Sequence, residues 1–125
     1  MNVTVKMYTC DVPDRNGVII PKEVMEKAVD EYMNNDSTHI VSMETPDTYM
    51  FCNLNNAIGT LKDIKINENG EVYGTINVLH TPKGKVFNEI FSKVPEQVTI
   101  VPMGTGEIED GKYTHIDLTH FNVEI

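Results

Sequence analysis

The chain has 125 residues, with 10 Lys and Arg against 19 Asp and Glu, giving a formal charge of −9 at pH 7. That length fits one domain at ~100–200 residues each and buries roughly two thirds of the unfolded surface, enough for a core without disulfide or metal staples. With 40% apolar and 23% charged residues the composition is globular, and the acidic excess argues against nucleic acid or anionic membrane as partner, since both are held by clustered Lys and Arg.

Residues 2–9 alternate, with Val3, Val5 and Met7 on one face and Thr4, Lys6 and Tyr8 on the other, the period of a half-buried strand. Asp11 to Gly17 is rich in turn formers, and Arg15-Asn16-Gly17 suits a tight turn with a positive φ. Pro21 sits where a first helical position wants it, and Val24, Ala28 and Tyr32 recur with helical spacing, flanked by Met25, Val29 and Met33. This predicts a helix over 21–34. From His39 to Ile66 the pattern is β-like but broken by Thr45-Pro46-Asp47 and by Asn53 to Asn56. Asn67-Glu68-Asn69-Gly70 is a hairpin signal joining strands 60–66 and 71–79.

Thr81-Pro82 reads as an N-cap and first helical position, and Val86, Phe87, Ile90, Phe91 and Val94 form an apolar stripe over a helix at 82–93. Residues 97–103 return to a strand, Gly104-Thr105-Gly106 reads as a plain turn, Glu109-Asp110-Gly111 turns the chain, and 113–124 is a final long strand. The expected fold is α+β in a single domain spanning 1–125: a small, mostly antiparallel sheet or barrel flanked by two helices.

The candidate chemistry is sparse. The longest apolar run is Tyr49 to Cys52, too short for a spanning helix or signal-peptide core, so an intracellular protein is expected, neither secreted nor membrane-bound. Cys10 and Cys52 have no partner at metal or disulfide spacing and read as reduced, buried thiols. His39, His80, His115 and His120 match no metal signature; His115 and His120, five apart on one strand, should point to opposite faces. Ser37, Ser42 and Ser92 lie in no nucleophile turn, and Gly104-Thr105-Gly106 precedes no helix that could hold a phosphate. The residues point to no metal and no cofactor.

The run Cys10-Asp11-Val12-Pro13-Asp14-Arg15-Asn16-Gly17-Val18-Ile19-Ile20-Pro21, leading into a helix, resembles the N-terminal signature of tailed-phage prohead proteases, especially the T-even type with "Asn-Arg-Asn-Gly-Arg-Ile-Tyr-Pro". Gly70-Glu71-Val72-Tyr73-Gly74, Leu79-His80-Thr81-Pro82-Lys83-Gly84-Lys85, Val98 to Gly104 and Leu118 to Val123 follow in the order such proteins show. The resemblance implies an assemblin-like fold, a β-barrel flanked by helices, and in the family a serine nucleophile assisted by histidine. The family's histidine lies in "Gly-Glu-Leu-x-His-Pro", matched by Val41-Ser42-Met43-Glu44-Thr45-Pro46, so Thr45 stands in its place. Its nucleophile lies in "Val-Ser-Ser-Arg-Gly-x-Gly", where Thr99 and Ile100 replace both serines, and Asn122 stands where a "Phe-Asp-x-Val"-like strand has Asp.

An unactivated hydroxyl at Thr99 would lack a base at Thr45, and loss of one triad member alone costs several orders of magnitude in rate. The resemblance with its departures therefore implies a catalytically inactive, prohead-protease-like phage protein with a structural role in the capsid, as auxiliary, decoration or assembly component, found in the virion or the host cytoplasm. Capsid proteins or further copies of itself are the expected partners. Two alternatives stay open. One is a binding protein that captures a host protein or small molecule in a former active-site groove rimmed by Thr45, Asp47, Tyr49, Thr99 and Asn122, with Lys83, Lys85 and Lys93 as nearby cations. The other is an active protease with a rearranged site, in which His39 or His80 serves Thr99.

Overall fold

The computed structural model describes residues 2–14, 17–35, 38–44 and 54–124. The elements run β1 (Asn2–Thr9), α1 (Lys22–Met33), β2 (Ile40–Ser42), β3 (Ala57–Ile66), β4 (Glu71–Val78), α2 (Pro82–Lys93), β5 (Thr99–Glu109) and β6 (Lys112–Glu124), with 3-10 turns at Leu54–Asn56 and Pro95–Gln97. All six strands form one sheet in the order β1-β4-β3-β2-β6-β5. The β2–β6 pair is parallel and the other pairs are antiparallel. The two edge strands β1 and β5 approach each other without pairing. The sheet therefore curls into a half-barrel.

Local signals account for most of these boundaries. Val5 and Met7 of β1 are buried while Thr4 and Lys6 are not, as the alternation requires. Asn67 closes the β3–β4 hairpin: its Oδ1 accepts from the backbone N–H of Asn69 (3.0 Å) and of Glu71 (2.9 Å), and Gly70 takes φ +78°. Its amide also donates to Glu71, which with Lys6 at 3.0 Å holds that carboxyl below the usual range. Helix α2 begins as expected, with Thr81 Oγ1 accepting from Gly84 N–H at 3.0 Å and Pro82 following the cap. Helix α1 is one residue shorter at each end than expected, since Pro21 is its N-cap, with no capping side chain, and Asn34 is its C-cap. The cap comes from the preceding loop, where Asp11 Oδ1 accepts from Lys22 N–H at 3.1 Å. The loop itself is closed by Asp14, which exchanges backbone bonds with Gly17 and Val18, and Gly17 takes φ +76°.

The glycine pair after residue 103 is not a turn. Gly104 and Gly106 lie inside β5, opposite Leu118 and Ile116 of β6, between two register shifts of the pair. A Cβ on Gly104 would stand 2.0 Å from the Asp117 carbonyl oxygen, and one on Gly106 would stand 2.4 Å from that of His115. Glycine is thus used here for close strand approach, not as a chain breaker.

The core joins both helices to the sheet. Met25, Ala28 and Tyr32 of α1 and Phe87 of α2 are buried with Val5, Met7, Leu61, Val72, Ile76, Phe121 and Val123. Cys10 belongs to this core at 1% exposure, and burial, reinforced by Asp11 and Glu26, pushes its thiol up to about 11. Cys52 lies outside the described residues. Because only the thiolate is nucleophilic, Cys10 should resist iodoacetamide at pH 8 and label only as urea opens the fold. Peptide mapping after a labelling pulse checks this, and modification of Cys10 at a free-thiol rate in native buffer would contradict it.

Candidate functional site

The three segments that carry the motif positions, 41–46, 98–104 and 120–123, are far apart in sequence. Their described parts meet on three adjacent strands. Val41 and Ser42 of β2 lie in register with Phe121 and Asn122 of β6, and on the other side of β6 Thr99, Val101 and Met103 face Glu124, Asn122 and His120. Residues in register present their side chains to the same face. One face of this patch is apolar: Val41, Ile100, Phe121 and Val123 are all buried in the core. The other carries Ser42, His120 and Asn122, with 0%, 2% and 1% exposure, and runs out to Thr99 at the surface.

Hydrogen bonds bind this polar face together. Asn122 Oδ1 accepts from Glu44 N–H at 2.8 Å, tying β6 to the residues after β2. The Glu44 carboxylate, 7% exposed, accepts from Asn56 Nδ2 at 2.7 Å, and Asn56 O accepts from Met43 N–H at 2.8 Å. His120 Nδ1 lies 3.0 Å from Thr119 Oγ1. Among the described residues, Ser42 Oγ and Asn122 Nδ2 have no hydrogen-bond partner. The buried serine is therefore joined to no base among those residues, and a hydroxyl without a base is a poor nucleophile.

Of the residues expected at the groove, Thr99 is exposed at the start of β5, opposite Glu124, and Asn122 lies beneath the surface. Their diagonal placement across β5 and β6 puts them about 7–8 Å apart. Thr45, Asp47 and Tyr49 lie outside the described residues. Ile100, in the place of the family's second serine, is a core residue at 5% exposure. His39 packs its ring at a tilt against Tyr32 and lies 3.2 Å from Asn35 Oδ1, His80 is exposed, and among the described residues no hydrogen bond joins either to Thr99. His115 sits on the surface 3.1 Å from Asp117 while His120 is buried, but the expected opposite faces are not found: the two pair with Glu107 and Met103, which share a face of β5, because the register shift between Met103 and Gly104 cancels their odd spacing. Lys93 of α2 pairs with Glu89 one turn back, as a solvated helix face does. No spacing in the sequence places Ser42, Glu44, Asn56 and His120 in one cluster. Each is an ordinary polar residue until the parallel β2–β6 pairing brings them together.

No protein-family model matches the chain, and no curated protein matches it significantly. Among solved structures it is similar to the capsid assembly protease gp21 of bacteriophage T4, with a TM-score of 0.70 and 20% identity over 98% of this chain and 79% of that one. Among the described residues no helix is long and apolar enough to cross a membrane. The chain is thus built on the fold of a phage capsid assembly protease, as its N-terminal signature and the order of its motifs predict.

Proposed function

We propose that this chain is a catalytically inactive, prohead-protease-like phage protein that serves as a structural component of the capsid or of its assembly intermediate. One observation carries the reading: of the two residues in the place of the family's serines, Ile100 is packed in the core and Thr99 is joined to no histidine among the described residues, while the Asn122 amide, in the place of the acid, is engaged as a tie between β6 and Glu44. Groups spent on packing and on backbone hydrogen bonds are not poised for proton transfer. The similarity to a capsid assembly protease supports capsid proteins as the partners. The charge of −9 suits a surface turned away from packaged DNA, whose phosphates would repel it at close range.

Two measurements test this. Incubation with a fluorophosphonate probe, and with the capsid and scaffold proteins of the same phage, should give neither specific labelling nor cleavage, and the chain should be present at high copy number in purified proheads or virions. Labelling at Thr99 or Ser42, or absence from both particles, defeats the proposal. A second reading, capture of a small molecule or a host-protein segment at the same face, is favoured by Ser42 Oγ and Asn122 Nδ2, two donors turned to one side that have no hydrogen-bond partner among the described residues. A ligand that raised the melting temperature in a dose-dependent way would support it.

A further inference from the structure

Strand β5 is the end of the sheet order, so among the described residues one of its edges is hydrogen-bonded to no strand. From Ile100 to Gly104 it is buried or half-buried, whereas Thr105 to Glu109 are all exposed. This second half is one side of a hairpin arm whose other side is β6. The arm is held in shape from within. Asp110 and Gly111 turn it with φ of +53° and +78°, and Ile19 braces its inner strand, donating to Gly111 O at 3.0 Å and accepting from Tyr113 N–H at 2.9 Å. Among the described residues, no backbone hydrogen bond outside the β5–β6 ladder involves 105–109. A rigid strand with an open edge is a template for another strand, and its rigidity keeps the ordering cost of docking low.

The side chains state what that strand should carry. From Thr105 to Asp117 the arm holds Glu107, Glu109, Asp110 and Asp117 against Lys112. Ile108, 52% exposed, lies in register with Tyr113 and makes an apolar spot between the two glutamates. A second copy fits this edge badly. Antiparallel pairing centred on Ile108 would set Glu107 of each copy against Glu109 of the other, and like charges directly opposite destabilise a strand pair. Two chains of −9 also repel at longer range.

We propose that the exposed half of β5, Thr105 to Glu109, accepts an added β-strand from a partner protein whose segment flanks an apolar residue with Lys or Arg at alternate positions. Main-chain hydrogen bonds to the open edge supply the binding, and Glu107 and Glu109 select a basic segment over a neutral or acidic one. The edge offers this whether or not the chain works in a capsid.

The test uses the whole chain and two synthetic heptapeptides, one alternating lysine with valine and the other glutamate with valine. Amide hydrogen exchange followed by NMR should slow about tenfold or more at 105–109 with saturating lysine–valine peptide and stay unchanged with glutamate–valine peptide. A Glu107→Lys/Glu109→Lys double variant, with its melting temperature and the rest of its amide spectrum unchanged, should reverse that preference. Four results overturn the proposal: no slowing at saturation, slowing confined to other strands, equal slowing by both peptides, or slowing that rises with protein concentration alone and so makes a second copy the occupant.

Discussion

Replacing Phe121 by alanine is expected to lower the unfolding free energy by about 3–5 kcal/mol, the usual cost of emptying a buried aromatic site. Phe121 has no exposed surface, lies in register with Val41 of β2 on one side and Pro102 of β5 on the other, and takes Tyr32 of α1 edge-on at a ring separation of 5.9 Å. It therefore joins three strands and a helix at one point. The cavity left by its ring would be walled by elements that are themselves paired and cannot collapse inward without breaking register. For a domain with a typical stability of about 5–15 kcal/mol, such a loss moves the protein a large part of the way to unfolding. Urea denaturation followed by circular dichroism checks this, with Val86→Ala on the exposed side of α2 as a comparison expected to change stability by about 0.5 kcal/mol or less. A Phe121→Ala loss below about 1 kcal/mol would mean that the patch is held by something other than this ring.

The parts of the fold legible in the sequence are those decided by neighbours along the chain. Helix α2 runs from Pro82 to Lys93 as predicted, because an N-cap threonine, a proline and a stripe of apolar residues all act within a few positions. The β3–β4 hairpin was equally clear, since Asn67 and Gly70 satisfy the turn by themselves. Gly104 and Gly106 escape such local reading because a glycine pair looks the same whether it serves a turn or a close strand contact; only the position of the Asp117 carbonyl, brought by β6, decides between them. The β2–β6 pairing has no local signal at all, as it joins Ser42 to Asn122 across 80 positions and is parallel. The candidate site inherits that difficulty. Thr99 and Asn122 were reached through motif order, but the Glu44–Asn56 bond and the burial of Ser42 and His120 are consequences of strand order, which periodicity does not contain.

Strand order also explains why polar residues survive in so buried a place. A side chain facing the core beside Val41 and Phe121 is sealed by α1, whereas the opposite face must satisfy the backbone of residues that leave β2 without a full ladder partner. Asn122 answers that need by accepting from Glu44 N–H, and Asn56 in turn satisfies the carboxylate that Glu44 brings. Buried polar groups that are paired in this way fix a unique arrangement, and removing one member strands the others.

The substitution Asn122→Asp puts a carboxyl where the resemblance expects an acid, and it should destabilise the protein in a pH-dependent way. The new side chain keeps one oxygen to accept from Glu44 N–H, but its second oxygen replaces Nδ2, which has no partner among the described residues. At 1% exposure the charged form is poorly solvated, and the carboxylate of Glu44 nearby disfavours it further, so the folded pKa rises above the unfolded value of about 3.9. A raised pKa means that the folded state holds its proton more tightly than the unfolded one. The variant is therefore closest to its parent at or below pH ~4, and the deficit grows by about 1.4 kcal/mol per pH unit until the folded pKa is reached. By pH 8 it should amount to about 3–5 kcal/mol, the cost of an uncompensated buried charge. Urea midpoints measured between pH 5.5 and 8 should show the gap opening as pH rises, while Asn122→Ala shows a deficit independent of pH. If Asn122→Asp is as stable as the parent at pH 8, the site supplies a donor or cation that an acid could use, and the inactive reading of this face fails with it.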